Sequence, residues 1–382
     1  MKSSAEIIII GGGISGTSIG YFLMKHGAKN VVILEKHHLA WGGTGRCGAG
    51  IRQQWGSEMN CIMAKYSCEF YENANEELKY EGDIEFKQGG YLMLIATEKE
   101  REQTEKNVQS QNTLGINSRL VSVEECKEIA PLLNTEEILA GAFYEKDGHL
   151  NPFHTTQAFA DAFVRLGGEI YKNTSVTDIL VKSGKVRGVV TNQGEIKAPI
   201  VINAAGGYSQ IIAEMAGFEL PVHSERHNIL VTEPVDAILN PMIMGFSLNL
   251  YCQQVPHGGF IMGRTCADQP KDYRITSDSS IPENMAKTIV KLLPALKNVR
   301  MLRQWAGLYN VTPDNHMIYD QIPGVSGFYA ACGFSGHGFM MAPATGQSMA
   351  EMVLGLPATL PWHRFNLARF NEGALLIEPS VV

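Results

Sequence analysis

Three glycines near the start of the chain, Gly11, Gly13 and Gly16, stand in the G-x-G-x-x-G spacing directly after the apolar run Ile7 to Ile10. Each has a separate task at a dinucleotide site. The first permits a tight turn, the second removes a side chain where pyrophosphate must approach, and the third lets a helix pack closely on the strand. Ile14 and Ser15 lie within this stretch, at the helix N-terminus whose free N–H groups and dipole favour a diphosphate. A second strand, Val31 to Leu34, ends in Glu35 and Lys36. The Glu35 carboxylate can accept hydrogen bonds from a ribose and would repel a 2′-phosphate. FAD and NAD both satisfy this unit, so the glycines alone leave the choice between them open. Further on, the glycine-dense loop Gly42 to Gly50 offers Gly43, Thr44 and Arg46 to the cofactor, with Arg52 reaching toward its reactive ring. Near the far end, Gly333-Phe334-Ser335-Gly336-His337-Gly338 lies between a strand and a helix. Its glycines permit close backbone approach, and the N–H groups of the helix that follows can meet a flavin carbonyl.

The elements that must carry these residues follow from periodicity. Ile14, Ile19, Phe22 and Leu23 recur at helical spacing, and Gly27 is placed to end that helix. Residues Glu58 to Lys79 read as an amphipathic helix, Glu85 to Ala96 as paired strands around Gly89-Gly90, and Glu98 to Leu114 as a charged, solvated helix. After the Asp147-Gly148 turn, Asn151-Pro152 opens a helix over Phe153 to Leu166, with Phe159, Ala162, Phe163 and Leu166 on one face. Three strands follow, Val176 to Lys182, Val186 to Thr191 and Glu195 to Val201, separated by Ser183-Gly184 and Gln193-Gly194. This is a meander rather than another βαβ unit, and it favours FAD over NAD. The last of these strands runs on to Gly206, where small residues let backbone lie against a ligand. Residues Leu220 to Pro313 hold strands at Asn228 to Thr232, Leu248 to Gln253 and Gly259 to Gly263, with a helix at Pro282 to Leu293. They predict a second sheet on the substrate side. Phe328 to Cys332 and a helix from Met341 to Leu354 return the chain to the nucleotide-binding part.

Composition narrows the function classes. The chain has 382 residues, 45% of them hydrophobic, which is enough for a large core and two domains. Its net charge of −7 argues against nucleic acid as a partner, because phosphate binding needs a basic surface. The seven cysteines, Cys47, Cys61, Cys68, Cys126, Cys252, Cys266 and Cys332, are scattered and never form C-x-x-C. That pattern predicts reduced thiols in a cytoplasmic protein and no metal site. The first strand begins too early for a signal peptide, and no apolar stretch reaches the ~18 residues of a membrane span.

Four segments together carry a family resemblance: Gly11 to Gly16 with Glu35; Gly45-Arg46-Cys47-Gly48-Ala49-Gly50-Ile51-Arg52-Gln53-Gln54; Trp305-Ala306-Gly307 leading to Thr312-Pro313-Asp314; and Gly333 to Met341. In these the chain resembles the FAD-dependent amine oxidoreductases of the D-amino-acid oxidase superfamily. More closely it resembles the sarcosine oxidase group and the β subunit of dye-linked L-proline dehydrogenase. The resemblance implies an α/β fold, with an FAD-binding Rossmann-like domain of the glutathione-reductase type plus an antiparallel β-sheet substrate domain. The FAD domain would take residues 1–82, 148–218 and 316–382, and the substrate domain 83–147 and 219–315. It implies an FAD-dependent dehydrogenase oxidising the α-C–H of a secondary amine or amino acid, proline-, sarcosine- or hydroxyproline-like, by hydride transfer to flavin N5. The alternatives are an electron-transfer or structural flavoprotein subunit of a larger complex, or a glycine or sarcosine oxidase. A partner subunit or electron carrier is the expected acceptor.

Residue roles carry over by position. Arg52 matches the arginine that grips a substrate carboxylate, and Val176 a residue whose backbone meets adenine. His337, in the Gly336-His337-Gly338 turn with Phe339 and Met340 after it, sits beside the flavin ring and is a candidate for proton transfer. Tyr251, His257 and Tyr309 are expected to line the pocket. Four positions depart from the family. Met340 replaces a carboxylate-binding lysine, Ile261 replaces the lysine that promotes reaction with oxygen, Gly307 replaces the cysteine that ties FAD covalently, and Tyr309 replaces a carboxylate-binding arginine. They imply non-covalent FAD and a dehydrogenase rather than an oxidase, since oxygen reduction would lack its cationic partner.

Overall fold

The run of four isoleucines at Ile7–Ile10 forms strand β1, buried on both faces, as a continuous β-branched segment should be in a parallel sheet. A computed structural model describes residues 1–264 and 270–379, and Cys266 lies outside the described residues. β1 pairs in parallel with β2 (Val31–Leu34) on one side and with Ile200–Asn203 on the other. The full sheet has six strands in the order Ile318–Gln321, Phe328–Cys332, Ile200–Asn203, β1, β2, Glu169–Tyr171. Only Ile318–Gln321 runs antiparallel to its neighbour. Helix α1 (Ile14–Lys25) crosses from β1 to β2 and packs against the helices Pro152–Arg165 and Ala342–Leu354. Its link to the latter includes a hydrogen bond from the Ser18 hydroxyl to the Ala342 carbonyl at 2.8 Å. The end of the chain is thereby fixed against its beginning.

The meander forms with a difference at its third strand. Val176–Lys182, Lys185–Thr191 and Gly194–Lys197 make a separate antiparallel sheet, while Ile200–Asn203 belongs to the six-stranded one. The expected single strand over Glu195 to Val201 is thus two. Pro199 stands at the break, where its missing N–H cannot continue a ladder.

The second large sheet has eight strands, in the order Met301–Val311, His223–Thr232, Phe260–Arg264, Leu250–Gln254, Met242–Gly245, Tyr91–Ile95, Ala140–Tyr144, Arg119–Val121. It is antiparallel except where Met242–Gly245 runs parallel to Tyr91–Ile95. Its apolar face packs on the helix Ile281–Leu292 through Met285, Ile289 and Leu292. No hairpin forms around Gly89-Gly90. Tyr91–Ile95 takes its partners from distant segments, and the residues before it make one isolated bridge, Lys87 to His149. A short pairing of Gly50–Ile51 with Gly148–His149 joins the loop after β2 to the segment just before the helix Pro152–Arg165.

Three helices differ from expectation in detail. The segment after Ser57 divides into α2 (Glu58–Glu72) and a turn at Ala74–Glu77. Leu166 lies just past the helix Pro152–Arg165 and is exposed. The helix Glu98–Thr113 is not simply a solvated face, since Glu100, Asn107 and Gln111 are buried. Gln111 donates to the Trp55 carbonyl at 2.7 Å, and Glu100 accepts from the Ser247 hydroxyl at 2.7 Å.

Candidate functional site

At the nucleotide end the glycines are required by space. Gly11 has φ +114°, and a Cβ there would lie 2.5 Å from the Ala204 oxygen; on Gly16 it would lie 2.0 Å from the Gly11 oxygen. Gly13 is the N-cap of α1 and has no side chain to cap the first turn, where Ser15 also lies. Thr44, in the short turn Thr44–Arg46, accepts from the Ile14 N–H at 3.1 Å. Glu35 is held at the end of β2 by the N–H groups of Gly12 and His37, each at 2.7 Å. The Glu35 carbonyl accepts from Thr174 at 2.8 Å, which brings Val176 to the same end of the sheet. Lys36 lies over the Tyr208 ring at 5.6 Å, next to Gly206, where a Cβ would meet nothing within 4 Å. Gly43 faces the Leu308 carbonyl. Arg46 reaches the carbonyls of Trp41 at 3.2 Å and Ala306 at 3.4 Å, so it spans from the loop after β2 to the second sheet.

Between that loop, the 333–340 segment and the second sheet lies a cavity of about 380 Å³. Arg52, Tyr251, Tyr309, His337, Phe339 and Met340 all line it. Arg52 is 4% exposed, donates to the Gln54 carbonyl at 2.7 Å, and lies over the Trp55 ring at 3.8 Å. Among the described residues it has no ion-pair partner. Burial pulls its guanidinium below the ordinary arginine range, with Tyr91, Glu378 and Asp147 acting in the opposite sense. A buried guanidinium facing a cavity without a paired carboxylate can take a planar anion by two parallel hydrogen bonds.

His337 packs edge-on against Trp55 at 4.9 Å, and its Nε2 finds no hydrogen-bond partner among the described residues. Burial, with His316 and Arg52 adding to it, lowers its pKa to about 3, so the ring is neutral at pH 7. Gly336, at φ +98°, brings backbone within reach of Tyr309, whose ring a Cβ would approach to 2.4 Å. Gly333 donates its N–H to the Asn310 side chain, and Gly338 lies against Phe334. Burial raises the Tyr309 phenol to about 12 and takes Tyr251 well above its usual value, so both are neutral donors. His257 is not brought to the cavity. It is exposed in the tight turn between Leu250–Gln254 and Phe260–Arg264, where Gly258 donates to the Val255 carbonyl.

Several contributors carry no motif in the sequence. Trp55 is the platform beneath Arg52. His227 stacks on Tyr309 at 3.6 Å and is lowered to about 4 by burial. Asp147 accepts from the Gln53 N–H at 2.9 Å and from the Gln54 amide at 3.0 Å, and so holds the chain just after Arg52. Its only trace in the sequence is the Asp-Gly turn. Glu378 lines the cavity from the far end of the chain.

Residues 6–352 match the model of a family described as FAD dependent oxidoreductase. The chain belongs to that family. The β subunit of sarcosine oxidase from Rhodobacter capsulatus is 29% identical, over 99% of this chain and 91% of the relative, and that from Arthrobacter sp is 30% identical, over 99% and 94%. A crystal structure of L-proline dehydrogenase from P. horikoshii superposes with a TM-score of 0.93 at 36% identity, covering 98% of this chain and 100% of that one. This FAD dependent oxidoreductase presents residues that fit the cofactor. A helix start whose N-cap is a glycine follows the glycine turn, and Glu35 is fixed beside it. A His337 nitrogen without a partner among the described residues and a backbone-lined glycine loop stand at the other end. Gly307 faces Arg46, whose Cβ would be 3.0 Å from a side chain there. Ile261 pairs with Val231 and shares the face of its strand with Gly263. Among the described residues no group of three or more His, Cys, Asp or Glu is placed to hold a metal, and no helix is long and apolar enough to cross a membrane. Cys47, Cys61, Cys68, Cys126, Cys252 and Cys332 are free thiols.

Proposed function

We propose that this chain is an FAD-dependent dehydrogenase of a small secondary amine or amino acid, such as proline, sarcosine or hydroxyproline. The observation that carries the reading is Arg52, a buried guanidinium at the cavity wall with no ion-pair partner among the described residues. An amino-acid carboxylate satisfies it, and doing so fixes the substrate's α-carbon relative to the 333–338 loop. Bound non-covalently, the flavin would supply the two-electron acceptor, at N5, for hydride from the α-C–H. Gly11, Gly13, Ile14, Ser15 and Gly16 would hold its diphosphate, Glu35 and Lys36 its ribose end, and Val176 and Gly206 its adenine side. Gly43, Thr44, Arg46, Gly333, Gly336 and Gly338 would line its length. Tyr251 and Tyr309 orient the substrate by neutral hydroxyls, and His337 fills the space beside the ring as a neutral imidazole. In this reading 1–82, 148–218 and 316–382 bind the flavin, 83–147 and 219–315 bind the amine, and the protein is cytoplasmic.

Dehydrogenase is preferred to oxidase because Ile261 offers no cation to reduced oxygen. A second reading has a specific support: the two sarcosine oxidase relatives are β subunits. On that reading this chain works with a partner subunit or electron carrier that accepts its electrons. Anaerobic addition of an imino- or N-methyl amino-acid panel to the flavin-loaded chain, with an artificial dye as acceptor, tests the first reading. Bleaching of the isolated chain supports it, and Arg52→Ala is expected to raise KM by a hundredfold or so, the order of one charge-assisted bidentate contact. Inertness across the panel, or an unchanged KM in that variant, removes the reading.

A further inference from the structure

The last described stretch of chain, residues 372–379, is tied down at two points. The Leu376 N–H donates to Asp314 Oδ2 at 3.2 Å, and Asp314 is itself gripped by the buried Arg369 at 2.7 Å. Two residues later the Glu378 carboxylate accepts four hydrogen bonds: from the Gly56 N–H at 2.7 Å, the Ser57 N–H at 3.2 Å, the Ser57 hydroxyl at 2.7 Å and the Asn60 amide at 2.8 Å. These donors open α2, whose own N-cap side chain makes no capping bond. A carboxylate there also meets the positive end of the helix dipole, so its charge is held firmly.

Capping alone would explain the four bonds but not the place. Glu378 lines the same cavity as Arg52 and His337. The turn it fixes follows Trp55, whose ring lies under the Arg52 guanidinium at 3.8 Å and whose Nε1 donates to the Arg52 carbonyl at 2.9 Å. Four charged side chains line the cavity. Arg264 is engaged by the Asn284 carbonyl and the Thr288 hydroxyl, each at 3.1 Å, and Glu225 by His223 at 2.6 Å. At the Trp55 end the wall presents the Arg52 cation and the fixed Glu378 anion, whose charges act on one another. A ligand with a single carboxylate can sit on Arg52 and leave Glu378 to its four donors. A ligand with a second carboxylate must bring a like charge toward a carboxylate that cannot swing away.

We infer that Glu378 is a specificity-determining residue that admits monocarboxylates to the Arg52 site and excludes dicarboxylates. The inference rests on the proposed role of Arg52, and the test separates the two. Calorimetric titration of the flavin-loaded full-length chain with butyrate and with succinate, which share a four-carbon skeleton, gives the ratio of their affinities. The wild type is expected to bind butyrate and to discriminate against succinate by about tenfold or more, the scale of one like-charge contact at a partly buried site. E378Q should collapse that ratio toward one, and E378D, which keeps the charge, should restore most of it. A role confined to capping α2 would weaken both ligands together and leave the ratio unmoved. Failure of the wild type to bind either acid sinks the Arg52 assignment. Equal binding of both acids by the wild type, or an E378Q ratio the same as wild type, overturns the inference about Glu378 while leaving Arg52 standing.

Discussion

Asp147 has no exposed surface, and three hydrogen bonds, two from Gln53 and one from Gln54, all favour its charged form. Burial nonetheless outweighs them and lifts its pKa to about 7, from a usual value of 3.8. The unfolded chain therefore ionises first. Stability contributed by the neutral carboxyl is full below pH 4 and is lost as pH rises from about 4 to about 7, at up to roughly 1.4 kcal/mol per pH unit. Asp147→Asn keeps the shape without the titration, so the stability gap between wild type and variant should drift in the variant's favour across that window and be flat above it. Chemical denaturation at several pH values reads this directly, and a pH-independent gap would show the carboxylate ionised throughout. His337 gives the complementary expectation. Its pKa of about 3 leaves it neutral in the range where an amine substrate is bound, so H337Q should leave any limb of the flavin-reduction profile between pH 5 and 8 where it was. A limb that moves in that variant would make His337 a proton carrier.

At the scale of elements, the 333–338 loop owes its path to glycine at a position where nothing else fits. Gly336 combines φ +98° with a hypothetical Cβ 2.4 Å from the Tyr309 ring. Gly336→Ala should cost about 1–3 kcal/mol and displace the loop, lowering flavin content at a fixed flavin concentration as well as the melting temperature. Retention of full flavin affinity would mean the loop does not face the cofactor. This loop and its strand, Phe328–Cys332, were legible because a run buried on both faces followed by clustered glycines has few other readings. The helix Glu98–Thr113 shows the opposite case. Its charge density announces water, yet Glu100 and Gln111 are buried against Ser247 and Trp55, and a polar pattern does not say which polar groups find protein partners. Short strands such as Arg119–Val121 and Ala140–Tyr144 escape for another reason. Three to five residues give too little alternation to read, and their stability comes from the partners they meet across the sheet.

Over the whole molecule, the cavity is assembled from segments that never neighbour one another in sequence: Arg52, His227, Tyr309, His337 and Glu378 come from five separate places, and Asp147, from a sixth, holds the chain after Arg52. The glycine-flanked members announce themselves because backbone geometry constrains residue type. Asp147, His227 and Glu378 do not, since an acid in a turn, a histidine in a strand and a glutamate near the end of the chain acquire meaning only through long-range packing. The ion pair of Asp314 with Arg369 underlies that packing for the final segment, with side chains 1% and 3% exposed. Asp314 also accepts from Leu376 and His316, while Arg369 donates to the carbonyls of His316, Met317 and Asn366. Burial alone would raise the Asp314 carboxyl, but Arg369 and the N–H donors hold it below its usual range. Its contribution is therefore present above about pH 4 and lost as pH falls through the depressed value. Arg369→Met strands a buried charge and should cost about 3–5 kcal/mol, whereas adding Asp314→Asn removes that charge and should recover a good part of the loss. Because Glu378 hangs from the same strut, the single variant should also expose residues 372–379 to protease and erase the butyrate-over-succinate preference. A variant that loses stability but keeps both the protected segment and the preference would show that the pair supports the core alone.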